Sequence, residues 1–136
     1  MSVEAKCSFQ ITSWDEKTYQ EIGGGAKLSN AKVTQSYSGE IEGTSSIEYL
    51  MSYTTQGTAT FVGLERVTGT VAGKTGTFVL QHVGGFSEGK ARSSWSVVVG
   101  SGTEGLASLR GEGSYVAGHG EPAQASFKYS FAPNAS

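Results

Sequence analysis

The stretch Phe61–Val99 reads FVGLERVTGTVAGKTGTFVLQHVGGFSEGKARSSWSVVV. It divides into three extended runs joined by two turns that contain glycine. A two-residue turn centred on Gly73-Lys74, with glycine supplying positive φ, places Glu65 opposite His82, Val67 opposite Leu80 and Phe61 opposite Phe86. A second turn centred on Glu88-Gly89 places His82 opposite Trp95 and Leu80 opposite Val97. Both registers put Phe61, Glu65, Val67, Phe78, Leu80, His82, Trp95 and Val97 on one face. An acid, an imidazole and an indole then share one row across three strands of an otherwise apolar face.

The flanking chain extends this pattern. Ala5–Trp14 alternates, with Ala5, Cys7, Phe9 and Ile11 on one side, as a half-buried strand does. Asp15–Asn30 is polar, contains Gly23-Gly24-Gly25, and reads as a crossing loop able to cover a cavity mouth. Lys32–Glu42 alternates cleanly, and its polar set must meet water, so Val33, Gln35, Tyr37, Gly39 and Ile41 face inward. A turn over Gly43–Ser46 and one centred on Gln56-Gly57 would bring Ile41 opposite Glu48 and Glu48 opposite Glu65. A slip of one residue would instead turn Tyr49 and Met51 inward. Within Ser101–Arg110, Thr103 can cap a short helical turn that carries Leu106 and Leu109 inward. Gly111–Ala117 and Ala123–Phe131 form a last hairpin around Gly118–Pro122. Its inner face carries Ala125, Phe127, Tyr129 and Phe131.

The 136 residues suit one domain over 1–136. Twenty glycines against two prolines fit many tight turns, and β-branched and aromatic residues fill the runs between them. The expected fold is all-β, an eight-stranded antiparallel barrel with one short helical turn near 103–109. A barrel of that size fills with side chains or holds one small ligand. A sandwich is the alternative, and it would bury Glu65 and His82 at high cost.

Net charge is −2 with acids and bases interspersed, which argues against nucleic acid as the partner. No apolar run reaches the ~18 residues of a membrane span. A lone Cys7 and no signal-like N-terminus give the expectation of a cytoplasmic protein. Asn134-Ala135-Ser136 matches a glycosylation sequon that lacks a secretory context.

Four segments together carry a family resemblance: Ser13–Lys17 (SWDEK), Tyr37–Tyr53 (YSGEIEGTSSIEYLMSY), Phe61–Phe86 and Ser93–Gly113. The chain resembles the bacterial domain of unknown function 3224 family, in the allene oxide cyclase-like barrel superfamily. The match runs from about Phe9 to Phe131. The resemblance implies an eight-stranded barrel with an enclosed pocket and no stated reaction. Tyr37–Glu40 and Ser101–Gly105 are also similar to plant allene oxide cyclase, which closes a ring on an unsaturated fatty-acid epoxide held in an apolar barrel. Dirigent proteins use the same architecture without acid–base chemistry, so the barrel does not name a reaction.

Short motifs fail on context. Gly100–Gly105 is a GxGxxG without a βαβ unit. Gly85–Gly89 is a GxSxG on a hairpin turn, and Gly69 to Thr75 is a P-loop one residue short with no helix after it. Cys7, His82 and His119 include no close-spaced metal pair; Glu48, Glu65 and His82 are a conceivable set with few nitrogen or sulfur ligands. No metal or cofactor is expected.

The candidate site is therefore Glu65 and His82, with Glu48 as a second acid, in a pocket lined by Tyr37, Phe61, Phe78, Leu80, Trp95 and Val97. An imidazole held by a carboxylate suits a general acid or base. It equally suits a buried pair that pins the barrel register. The function expected is binding of a small apolar molecule in the lumen, with isomerisation or cyclisation as the candidate chemistry. The alternatives are a carrier without chemistry and a structural protein. An apolar strip of Tyr49, Met51, Val62, Leu64 and Val79 on the exterior would serve homo-oligomerisation.

Overall fold

The structure is a computed structural model and describes residues 3–118 and 123–131. Eight antiparallel strands close into one barrel: β1 (Val3–Gly23), β2 (Ala26–Gly39), β3 (Ile41–Tyr53), β4 (Ala59–Val71), β5 (Lys74–Ser87), β6 (Lys90–Val97), β7 (Leu109–Gly118) and β8 (Ala123–Phe131). Each strand pairs with its sequence neighbours, and β8 returns to β1 through Val3–Phe9. Among the described residues, no helix is long and apolar enough to cross a membrane.

The turn at Glu88-Gly89 stands as the sequence implies. Both residues take positive φ (53° and 75°), and His82 pairs with Trp95 and Leu80 with Val97. The β4–β5 turn is centred one residue earlier than expected, on Ala72-Gly73 (φ 53° and 81°). A turn that moves by one residue moves the register by two, so Glu65 lies opposite Leu80, Gly63 opposite His82 and Phe61 opposite Gly84. The faces survive this shift because side chains alternate with period two.

The β3–β4 loop spans Thr54–Thr58 and pairs Tyr53 with Ala59. Its odd length reverses the facing of β3. Ile47 now opposes Glu65, Tyr49 and Met51 turn inward, and Glu48 turns outward. This arrangement buries three apolar side chains and keeps a second carboxylate away from Glu65, where like charges would repel. The segment Gly43–Ser46 is strand rather than turn; the chain reverses at Gly39–Ile41, and Tyr37 pairs with Gly43.

The polar stretch Asp15–Asn30 is likewise not a loop. It is the long upper part of the β1–β2 hairpin, reversed at Gly23–Gly25. Ile11, expected inside, is 53% exposed, because β8 starts opposite Phe9 and among the described residues leaves Ile11 a neighbour on one side only. The exterior strip also changes. Val62 and Leu64 are exposed as expected, but Tyr49 and Met51 are interior, and Leu50 and Val83 take their places beside Val62.

One end of the barrel is packed shut. The β6–β7 connection carries a single 3-10 turn, Glu104–Leu106, and drives Leu106 into the core with Val71, Leu80 and Leu109. Thr103 precedes that turn but does not cap it; its hydroxyl accepts from the Thr77 amide at 3.0 Å. The expected turn around His119 and Glu121 and the Asn134 sequon lie outside the described residues.

Glycine placement sets the interior. Gly63 opposes Tyr49, Gly84 opposes Phe61 and Gly113 opposes Trp95. A Cβ at these positions would sit 2.6 Å, 2.7 Å and 2.6 Å from the facing rings. Each glycine is thus the floor on which a neighbouring aromatic lies.

Candidate functional site

The inner row of β4 and β5 brings Glu65 and His82 together. Both are buried, at 0% and 2% exposure. His82 Nε2 meets Glu65 Oε1 at 2.6 Å. The other carboxylate oxygen accepts from the Tyr37 hydroxyl at 2.5 Å and from the Ser45 hydroxyl at 2.6 Å. His82 Nδ1 lies 3.1 Å from Ser93 Oγ. With Nε2–H donating to the carboxylate, the Ser93 hydroxyl donates to Nδ1 when the ring is neutral and accepts from it when the ring is charged. No buried side-chain polar atom among the described residues lacks a partner.

The surrounding groups respond to this pair. Burial, then the Glu65 charge and its hydrogen bond, push the Tyr37 hydroxyl well above the ordinary phenol range. Burial first, then the neighbouring Tyr115 and Glu65, pushes Tyr49 up in the same direction. Tyr115 is raised mainly by burial, against the hydroxyls of Tyr49 and Ser93, which stabilise its phenolate. All three phenols therefore keep their protons at neutral pH, and Tyr37 donates its own to Glu65.

The cavity lies above this pair, at the end of the barrel opposite Leu106. It measures about 280 Å³ and is lined by Trp14, Tyr49, Met51, Tyr53, Ala59, Phe61, Phe86, Ala91 and Tyr115. Tyr49 and Tyr115 form its floor, and His82 sits beneath them, its ring centroid 5.8 Å and 6.4 Å from theirs. A second carboxylate stands at the rim. Glu16 accepts from Trp14 Nε1 at 3.0 Å, from Ser29 Oγ at 2.6 Å and from the Tyr53 hydroxyl at 2.6 Å. Burial works to raise its pKa, but the three donors and the nearby Lys27 outweigh it and hold Glu16 below the usual value.

A family model described as a protein of unknown function, DUF3224, matches residues 5–129. The chain belongs to the DUF3224 family. A crystal structure of a DUF3224 protein of unknown function from Shewanella oneidensis MR-1 is similar over 98% of this chain and 100% of that one, with 28% identity and a TM-score of 0.84. None of the curated proteins matches the sequence.

The expected residues of this DUF3224 chain do not all come to one place. Glu65, His82 and Trp95 face the interior together, as their spacing implies. Tyr37, Phe78, Leu80, Trp95 and Val97 also face inward, but they belong to the packed core. Only Phe61 of the expected lining faces the cavity. Glu48 is outside the barrel, its side chain 61% exposed and 4.0 Å from Lys32 Nζ.

Sequence reasoning missed Ser45, Ser93, Tyr115, Trp14 and Glu16. Ser45 was hidden by reading its segment as a turn. Ser93 shares the parity of Trp95, and Tyr115 that of Gly113, so extending the alternation by one step finds both. Trp14 ends the strand that the alternation gives, but a register shift between Ile11 and Ser13 changes its face, and Glu16 required seeing that a polar stretch was strand.

Proposed function

We propose that this barrel binds a small apolar molecule in the cavity at its open end, as a carrier or receptor, and that the Glu65–His82 pair is the internal strut beneath it. One observation carries the reading: the cavity wall is almost wholly apolar, while both ring nitrogens of His82 are already bonded within the protein. Ligand sites are mostly apolar concavities with few polar groups, and this one lies just under the ~300 Å³ lower end of their size range. The resemblance to allene oxide cyclase-like barrels supports holding an apolar molecule without supplying its chemistry. The single cysteine supports a cytoplasmic setting.

The test is binding of a neutral fluorescent probe, N-phenyl-1-naphthylamine, to the full chain and to Ala91→Trp, which fills the cavity from its wall. Binding that disappears in the folded variant supports the proposal. Failure of the probe to bind, or equal binding by the variant, overturns it.

A second reading, proton transfer to a bound ligand, has one observation in its favour. The Tyr115 ring on the cavity floor lies 6.4 Å, centroid to centroid, from His82, which meets Glu65. Isomerisation of a bound ligand that is abolished in His82→Ala, with affinity kept, supports this reading over the first.

A further inference from the structure

We infer that the cavity takes a molecule bearing an organic cation, such as a quaternary or tertiary ammonium, in preference to one bearing a carboxylate. The inference rests on the proposal that the cavity is a ligand site and names the chemistry that site would select.

Among the described residues, six of the nine that line the cavity are aromatic: Trp14, Tyr49, Tyr53, Phe61, Phe86 and Tyr115. Among the described residues, none that lines the cavity is Lys, Arg or His. Aromatic faces are negative, and several around one site attract a cation while they repel an anion. Two of these rings are further enriched. Trp14 gives its indole N–H to Glu16, and Tyr53 gives its hydroxyl hydrogen to the same carboxylate. A ring that donates its polar hydrogen to a carboxylate gains electron density on its face. Tyr53 already shows the consequence, since Lys27 Nζ sits 5.0 Å from its ring centroid. Below the floor, Glu65 adds negative potential, which contributes after burial to the raised phenols of Tyr49 and Tyr115. Lys27 is the opposing charge at the rim, so an anionic ligand belongs in the test.

The experiment displaces N-phenyl-1-naphthylamine from the full chain with three molecules of one shape: phenyltrimethylammonium, neutral tert-butylbenzene, and 2-methyl-2-phenylpropanoate. The expected order is cation, then neutral, then carboxylate, with the cation ahead of the neutral form by about tenfold. In Glu16→Gln the advantage of the cation over the neutral molecule is expected to fall to about threefold or less. A carboxylate as tight as the cation, or a cation no tighter than the neutral molecule, overturns the inference while tert-butylbenzene binding keeps the cavity proposal intact. An unchanged ratio in Glu16→Gln overturns the role given to that carboxylate. If neither the probe nor any of the three molecules binds, the cavity proposal and the inference fail together.

Discussion

Glu65 on β4 accepts from side chains of β2, β3 and β5, and through His82 it is joined to Ser93 on β6. One carboxylate thus links five adjacent strands at mid-barrel. Removing its charge leaves buried donors poorly matched, and breaking a buried pair costs about 3–5 kcal/mol. Glu65→Gln and His82→Ala should therefore each lower the melting temperature, while probe binding persists in the folded fraction. Lost binding at an unchanged melting temperature would instead assign the pair to the ligand. Cys7 faces the same interior. Its thiol is pushed up to about 11, first by burial and then by Glu65 and Glu40. The folded protein at pH 8 should react with iodoacetamide far more slowly than the denatured chain; equal rates would contradict the buried position. Glu16 supplies a pH dependence. Its pKa is lowered on folding, so its contribution is present above the ordinary value of 4.5 and disappears as pH falls through the folded value. The indole N–H resonance of Trp14 should shift in that acid range and stay flat in Glu16→Gln.

The hairpins show what an element's sequence can and cannot specify. The Glu88-Gly89 turn was legible because glycine stands second in a two-residue loop with clear alternation on both sides. The β4–β5 turn has the same pattern, Ala72 at φ 53° ahead of Gly73, and was misplaced by setting its glycine first. Left-handed backbone costs a non-glycine residue about 1–2 kcal/mol. Ala72→Asn should relieve about 1 kcal/mol of that in a denaturant titration. The β3–β4 loop was unreadable from turn residues alone, because Thr54 closes it onto Thr58 by backbone and side-chain bonds (2.9 Å and 2.7 Å) that no short motif announces. The paired glycines offered a better signal. An inward ring on β3 lies well over a glycine on β4, and Tyr49 is the ring that meets Gly63 once β3 slips by one residue. Gly63→Ala should destabilise by about 1–3 kcal/mol through overpacking, since its Cβ meets Tyr49 at 2.6 Å and the Glu48 carbonyl at 2.7 Å.

At the scale of the molecule, closure, strand number and the inward row were legible because alternation survives errors of two residues in register. The cavity was not, because it depends on which end of the lumen is filled. Leu106 and the aromatic core occupy one end, and the other is left to Trp14, Phe61, Phe86 and their neighbours. Far-UV circular dichroism should show sheet with almost no helix. A bound ligand should raise the melting temperature with concentration, as binding to the native state alone requires.

The rings that lie on glycines have a bearing on descent. A side chain gained at the place of Gly63, Gly84 or Gly113 would meet a backbone carbonyl of a neighbouring strand, at 2.7 Å, 2.2 Å and 2.4 Å, as well as the facing ring, so a smaller partner than Tyr49, Phe61 or Trp95 does not admit it. Lineages of this barrel should therefore keep glycine at all three places, two of which lie under cavity-lining rings, Tyr49 and Phe61. A change in the shape of the cavity would then be recorded at its other lining positions, with these three glycines held constant.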